Sequence, residues 1–395
     1  MDTVFYENTR KKINIGDFIV AAYIIAIFVL ENEKYATLFS AIQLVYFGYM
    51  IFLIFQTKKF PLNIASKWIL VVAILTLLFL FVDANKNVNL LSFIVIKNLL
   101  KSLCVVYYLY IKGNDKFLIG CIAVSGVICG GFIVATFLSN PIVNMELKYA
   151  YNSRIGAEIA GDNVNVVAMN MCFAFSSCIY LAKETSKKIM KLLWYVALIF
   201  ITISSFFTGT RKILLVFVVM LLLANNNIKI KYKIMGCIAI VGAYWMLMNI
   251  DTFYFLVGHK IDFWGNNAYK MYDQSDKIRQ NLLIQSWELF CDKPWGGGFG
   301  YTQTALGLYA HNNYLEVLVS LGLIGVILYY SIYIWGVYRS YCYRKDSACQ
   351  FCFYTLVGIM LLEIGQITCY YPMIYIFISL MAYIIRYKRK EIVFI

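Results

Sequence analysis

Charged residues are scarce in this sequence. They make up 14% of its 395 residues, whereas hydrophobic residues make up 62%. Soluble globular proteins average roughly 25% charged and 45–50% apolar residues. The mean hydropathy of +0.71 reflects the same imbalance. These values exclude a soluble globular protein and indicate an integral membrane protein.

The sequence also lacks the usual signatures of metal and nucleotide chemistry. It has only two histidines, and it contains no HExxH motif, Walker sequence or Gly-x-Ser-x-Gly elbow. Cys349 and Cys352 form a Cys-x-x-Cys, but no second pair is present to complete a zinc site. Buried structural cysteines are therefore the favoured interpretation, with zinc as the alternative. We expect no metal and no cofactor.

Apolar runs long enough to cross a bilayer recur along the chain. A transmembrane helix needs about 20 apolar residues, and these runs lack the alternation of a membrane barrel. They predict an all-α, polytopic fold of about 12 transmembrane helices in a single membrane domain over residues 1–395. The predicted spans are residues 13–30, 36–55, 68–82, 88–111, 117–138, 164–182, 189–207, 211–224, 234–250, 314–338, 348–364 and 371–386.

The distribution of positive charge orients these spans. A net charge of +14 would point to nucleic acid in a soluble chain. In a membrane protein it marks the cytoplasmic loops, where Lys and Arg accumulate, so no nucleic-acid partner is expected. Both termini are then cytoplasmic, and two large loops are extracytoplasmic: residues 139–163 and, between the ninth and tenth spans, residues 251–313. Cys291 and Cys369 also lie outside, where a disulfide between them is an open alternative.

One short outer turn, residues 208–212, departs from this charge pattern because it contains Arg211 and Lys212. The two cations either extend to lipid headgroups or hold an anion.

Two further cations, Lys97 and Lys101, share one face of the fourth span. Charges inside a membrane usually face the bundle interior or a cavity. Glu363 is a candidate partner, and a structural ion pair and a substrate contact are both open.

The longer outer loop contains the main candidate site. A membrane-surface helix is predicted over residues 275–291, and a glycine run that permits a tight turn follows it. The glycines of this run are Gly296, Gly298 and Gly300, and the polar residues at the start of the next apolar helix are His311, Asn312 and Asn313.

A histidine in this position fits a general base. The positive end of a helix opposes a second positive charge and favours the neutral imidazole, which can accept a proton from a hydroxyl. The alternative is that His311 caps the helix. Arginines on separate outer segments fit a diphosphate, because guanidinium groups match phosphate oxygens and keep their charge. The candidate anion- or substrate-binding residues are Arg154, Arg211, Lys212, Arg279, Asn312 and Asn313.

Three segments, in chain order, carry the pattern of a known family. They read TGTRKILLVFVV, IRQNLLIQSWELFCDKPWGGGFG and HNNYLEVLVSLGLIG. They resemble the O-antigen ligase/polymerase superfamily over about residues 208–330, which defines a catalytic core at residues 208–338 including outer loop 251–313. Thr210 stands where many relatives have serine, and the glycine run is displaced by one residue. Upstream, YNSRIGAEIAGDNVN resembles the arginine-bearing outer loop of the polymerase members.

The resemblance implies a metal-independent, inverting membrane glycosyltransferase. It would act on the outer face of a bacterial cytoplasmic (inner) membrane, on undecaprenyl-diphosphate-linked oligosaccharide repeat units. Arg211 and Arg279 would bind the donor diphosphate, Arg154 would help to hold a substrate, and His311 would be the catalytic base.

Several functions are compatible with this family. A polymerase that joins repeat units of a capsule, O-antigen or other exopolysaccharide is the first choice, with a flippase and a chain-length regulator as expected protein partners. A ligase that transfers glycan to a lipid or protein acceptor uses the same core and is the alternative. A flippase or transporter is a third interpretation, against which no paired halves are visible in the sequence.

Overall fold

The residues that the structure describes fold into α-helices. A computed structural model describes residues 14–31, 33–58, 61–82, 86–139, 164–208, 210–225 and 271–387, with isolated positions between 229 and 249. The helices are α1 (Ile15–Val29), α2 (Ala36–Thr57), α3 (Ile64–Val82), α4 (Lys86–Lys112), α5 (Asp115–Ser139), α6 (Val164–Glu184), α7 (Lys188–Phe207), α8 (Arg211–Ala224), α9 (Met271–Asp292), α10 (Tyr301–Leu306), α11 (Asn313–Cys342), α12 (Ser347–Glu363) and α13 (Pro372–Tyr387).

Every predicted span except residues 234–250 overlaps a helix, and that span lies outside the described residues apart from isolated positions. The helices long and apolar enough to cross a membrane are α2, α4 from Val88, α5, α6, α7 and α11. Shorter apolar helices are α1, α3, α8, α12 and α13. The all-α, polytopic class is therefore confirmed, whereas the number of twelve spans and their orientation stay predictions. The described part of the predicted outer loop, residues 271–313, contains α9 and α10.

Two helices lie at the centre of the bundle, α6 and α13, and both are buried along nearly their whole length. A helix that is apolar on all sides is stable when it is surrounded. α6 packs against α5, α7 and α12, and α13 packs against α4. Small residues allow close approach: a Cβ placed on Gly126 of α5 would lie 2.1 Å from the Cβ of Ala174 in α6. In contrast, α2 and α7 have only three buried residues each, as lipid-facing helices do.

The helix α11 is interrupted inside the bundle at Gly322, whose φ of +68° is left-handed. Such a break leaves backbone groups that lipid cannot satisfy. The segment before α10 satisfies them, because the N–H of Gly297 donates to the carbonyl oxygen of Val319 at 2.9 Å. The N–H of Gly298 donates to the carbonyl oxygen of Ser320 at 2.8 Å.

This segment is the glycine loop (residues 293–300). It can approach the break closely because glycines lie at the points of contact, Gly296 in the loop and Gly322 in α11. A Cβ placed on Gly322 would lie 2.5 Å from the backbone of Trp295. One placed on Gly296 would lie 2.6 Å from the carbonyl oxygen of Ser320. The glycines of two separate sequence motifs thus have one shared structural role, which is to let a loop and a broken helix exchange backbone hydrogen bonds.

Glu363 does not pair with the lysines of α4, so that expectation is wrong. Its buried carboxylate accepts hydrogen bonds from the hydroxyls of Tyr330 and Tyr333, at 3.1 and 3.2 Å. The carboxylate close enough to Lys101 for their charges to interact is that of Glu31. Tyrosine hydroxyls satisfy Glu363 without the burial of a second charge.

The cysteines behave mostly as small buried hydrophobes. Cys349 and Cys352 are both fully buried in α12. Cys291 is exposed and Cys369 is buried, and both are free thiols, so the disulfide alternative is wrong. Among the residues that the structure describes, no three His, Cys, Asp or Glu side chains cluster as metal ligands would.

Candidate functional site

His311 lies in the turn that joins α10 to α11, the histidine turn (residues 307–312). Its φ of +54° is left-handed, a region that residues other than glycine visit uncommonly. The imidazole is half-buried and packs against the ring of Tyr309, with ring centroids 4.4 Å apart. A residue keeps such a backbone conformation only when the surrounding structure holds it there.

The residues on both sides of His311 are anchored. Before it, the N–H of Ala310 donates to Oε2 of the buried Glu316 at 3.2 Å. After it, Asn312 caps α11 and accepts from the N–H of Leu315 at 3.1 Å. The N-cap of α11 is therefore Asn312, and the alternative in which His311 caps the helix is wrong.

The side-chain amides of Asn312 and Asn313 form hydrogen bonds with backbone groups of the protein. Nδ2 of Asn312 donates to the carbonyl oxygen of Ile364 at 3.1 Å. Asn313 is buried, and its Oδ1 accepts from the N–H groups of Thr368 and Cys369 at 2.9 and 3.1 Å. Both residues fasten the start of α11 to the loop after α12. Their expected contact with a diphosphate stays a prediction.

That loop, the α12–α13 loop (residues 364–371), also holds the start of α8. Nζ of Lys212 donates to the carbonyl oxygen of Gly365 at 2.8 Å. From another side, Nδ2 of Asn98 in α4 donates to the carbonyl oxygen of Tyr370, also at 2.8 Å. The starts of α8 and α11 and the middle of α4 thus meet on one loop.

The hydroxyl of Tyr370 connects the α12–α13 loop to the glycine loop. It accepts from the N–H of Gly300 at 3.1 Å and donates to Oε1 of Glu316 at 2.6 Å. Burial raises the pKa of the Tyr370 hydroxyl, and the neighbouring Glu316 charge raises it further. The hydroxyl therefore keeps the proton that it donates to the carboxylate.

Three alternate glycines of the glycine run share a left-handed backbone conformation. Gly296, Gly298 and Gly300 have left-handed φ values of +95°, +87° and +89°, whereas Gly297 does not. Glycine is favoured at all three positions because it has no Cβ. A contact between these glycines and a substrate stays a prediction.

The structure describes the three arginines to different extents. Arg279 is half-buried on α9, which packs against α11. Arg211 is the first residue of α8, next to Lys212, and its side chain is not among those described. Arg154 lies outside the described residues. The convergence of the three side chains on one anion stays a prediction.

Sequence reasoning missed Glu316 and the α12–α13 loop. Glu316 lies within a predicted span, and a carboxylate inside the membrane is costly enough to indicate a role. The α12–α13 loop had a weaker signal in the sequence, which was a short polar interruption between two apolar runs. Neither pattern says which distant segments the residues contact.

These observations define the class of protein: a polytopic helical membrane protein whose polar site is built from helix starts and loops that meet at one carboxylate and one short loop.

A comparison with protein families gives a match over part of the chain. A family model described as O-antigen ligase matches residues 196–330, a range that includes Arg211, Arg279, the glycine loop and His311. The resemblance to the O-antigen ligase/polymerase superfamily is thereby confirmed. The match indicates ligase- or polymerase-like activity. No curated protein matches the chain.

Proposed function

We propose that the protein is a polysaccharide polymerase. It transfers a glycan from undecaprenyl diphosphate to another lipid-linked repeat unit on the outer face of the cytoplasmic membrane. The observation that carries the proposal is the family match, because a single matched range contains the expected base, two of the expected diphosphate ligands and the loop that docks into the broken helix. The sequence around Arg154 favours polymerisation over ligation.

The reaction needs a base and a stabilised leaving group. An acceptor hydroxyl attacks the anomeric carbon of the donor, so a new glycosidic bond forms while the bond to the diphosphate oxygen breaks. His311 takes the hydroxyl proton, and the departing polyprenyl diphosphate takes the electron pair. A single displacement of this kind inverts the anomeric configuration.

The backbone geometry of His311 suits this role. A catalytic base contributes most when its position is fixed before the substrate binds. The anchored neighbours Ala310 and Asn312 restrict the left-handed turn on both sides. His311 as a whole is half-buried, and the acceptor approaches its exposed part.

The cationic residues supply what a metal supplies in other glycosyltransferases. Arg211 and Arg279 hold the donor diphosphate and stabilise the charge that builds up as it leaves, and Arg154 holds a substrate. Lys212, Asn312 and Asn313 contact the diphosphate less strongly than the arginines, because the side chain of each already has a hydrogen bond within the protein.

A deletion strain of the host bacterium separates the candidate functions by product. Loss of a polymerase leaves single repeat units displayed outside and no long chains. Loss of a ligase leaves full-length chains that are not attached to their acceptor, the outcome that the description of the matched family favours. Loss of a flippase traps single units inside. Full-length, unattached polymer in the deletion strain would contradict the polymerase and establish the ligase.

A further inference from the structure

Glu316 is a fully buried carboxylate in the first turn of α11. Burial of a carboxylate is costly unless hydrogen bonds satisfy it. Each oxygen has a donor from a different segment: the Tyr370 hydroxyl lies 2.6 Å from Oε1, and the Ala310 nitrogen lies 3.2 Å from Oε2. An apolar residue of similar volume would often be as stable at a buried position. The role of the Glu316 carboxylate is therefore to hold together the two segments that donate hydrogen bonds to it, rather than to stabilise the fold.

Those segments are the two halves of the proposed active site. Ala310 directly precedes His311 in the histidine turn. The hydroxyl of Tyr370 also accepts the N–H of Gly300, the last residue of the glycine loop, at 3.1 Å. A continuous path of hydrogen bonds thus runs from the glycine loop through Tyr370 and Glu316 to the residue before the expected base.

This path of hydrogen bonds ends next to His311, whose backbone conformation is unfavourable by itself. The left-handed φ of His311 is unfavourable for a residue with a Cβ. The cap formed by Asn312 fixes the residue that follows His311. The bond from the N–H of Ala310 to Glu316 restrains the Tyr309–Ala310 peptide, one residue before His311. Loss of the second restraint would let the turn relax toward more favourable backbone angles.

We propose that Glu316 and Tyr370 are positioning residues, which set the place of the His311 imidazole relative to the glycine loop without contacting substrate. The proposal rests on the proposed function, in which His311 is the base.

A matched control exists on the same helix, because Tyr333 also donates its hydroxyl to a buried carboxylate, that of Glu363, at 3.2 Å. Glu363 connects to Asn313 through the hydroxyl of Tyr330, and Tyr333→Phe leaves that connection in place. Tyr333 itself has no hydrogen bond to the glycine loop or the histidine turn among those described.

The two histidines of the chain allow a spectroscopic test that does not depend on activity. The full-length protein is labelled with ¹³C and ¹⁵N at histidine and studied by NMR in lipid nanodiscs, with His259→Gln leaving His311 as the single labelled ring. This background should show one set of imidazole signals. Tyr370→Phe and Glu316→Gln should each split or broaden the set, because the histidine turn then samples several conformations. Tyr333→Phe should leave it unchanged.

Turnover provides the second readout. Membranes from the deletion strain, complemented with each variant, are incubated with the lipid extract of the uncomplemented strain, and the initial rate of polymer formation is measured. Tyr370→Phe and Glu316→Gln should each lower the rate roughly 10- to 100-fold, the effect of misplacing a catalytic group by about 1 Å. Glu316→Leu should lower it further, since it retains no acceptor, and Tyr333→Phe should retain the parental rate.

The outcomes separate this inference from the proposed function. An unchanged His311 spectrum in both Tyr370→Phe and Glu316→Gln would overturn the positioning role, as would an equal change in Tyr333→Phe. The His311 spectrum can respond as expected even if the parental protein forms no polymer. That combination would support the positioning role of Glu316 and Tyr370 and reject the polymerase.

Discussion

Lys212 and Asn312 donate hydrogen bonds to the carbonyl oxygens of two adjacent residues, 365 and 364, at 2.8 and 3.1 Å. They begin α8 and α11, helices that are distant in sequence, and both contacts fall on the α12–α13 loop. Arg211 directly precedes the first of them and His311 the second. The two helix starts that carry an expected diphosphate ligand and the expected base are therefore fastened to the same short loop.

His311→Asn tests the base with the least disturbance of the turn. Asparagine tolerates a left-handed backbone better than most residues, so abundance and fold should be preserved. Its amide cannot accept the proton, so turnover should fall about 10²–10⁴-fold, measured as the initial rate of polymer formation in membranes. The control is His259→Asn, which changes the other histidine and should keep parental activity. Normal turnover in His311→Asn would remove His311 from the mechanism.

Arg211→Lys and Arg279→Lys should each leave little activity, because an ammonium cannot form the two parallel hydrogen bonds of a guanidinium to a diphosphate. Lys212→Ala should be milder in turnover. It removes the hydrogen bond to the Gly365 carbonyl oxygen, at a cost of about 1–3 kcal/mol in stability. Polymer formation and the apparent Tm in detergent are measured for all three. Equal tolerance of the three changes would indicate that Arg211 and Arg279 do not bind the diphosphate.

A series of glycine substitutions tests the broken helix. Gly120→Ala, in α5 with open space around its Cβ position, should be neutral or stabilising by up to about 1 kcal/mol. Gly307→Ala has open space but a left-handed φ of +74°, so it should lose about 1–2 kcal/mol. Gly322→Ala should lose about 3 kcal/mol or more, because strain and a collision with the Trp295 backbone combine. The apparent Tm in detergent ranks the three variants, and any other order would contradict the docking of the glycine loop.

Native cysteines test burial and orientation together. Cys291 and Cys342 are exposed, whereas Cys369 is buried. Burial raises the pKa of the Cys369 thiol, and nearby carboxylates raise it further, so less of the reactive thiolate forms at neutral pH. In single-cysteine variants an impermeant maleimide should label Cys291 in intact cells, Cys342 only after lysis, and Cys369 only after denaturation.

The outer membrane, where the host has one, must be made permeable to the reagent. Labelling of Cys342 from outside would overturn the predicted orientation of α11. Rapid labelling of Cys369 in folded protein would contradict its burial in the α12–α13 loop.

The secondary structure was the most predictable part of the protein. Span lengths follow from bilayer thickness, so the apolar runs locate the helices of the described residues within a few positions. The helix expected at residues 275–291 is confirmed as α9, Met271–Asp292, and its place on the membrane surface stays a prediction. The partners of Glu363 were not predictable, because they depend on how α11 and α12 are rotated against each other, and the length of a span does not contain that rotation.

The sequence by itself determined the membrane class, the helices of the described residues and the resemblance to a family, because each depends on local composition or on the order of short motifs. It also placed His311 beside a helix start. Only the tertiary structure decided that Gly322 breaks α11 to receive the glycine loop, that His311 is left-handed, and that Glu316 joins two loops through Tyr370 and Ala310. These features are hydrogen bonds and backbone angles imposed by segments distant along the chain, and no local pattern specifies which distant segment will supply the partner.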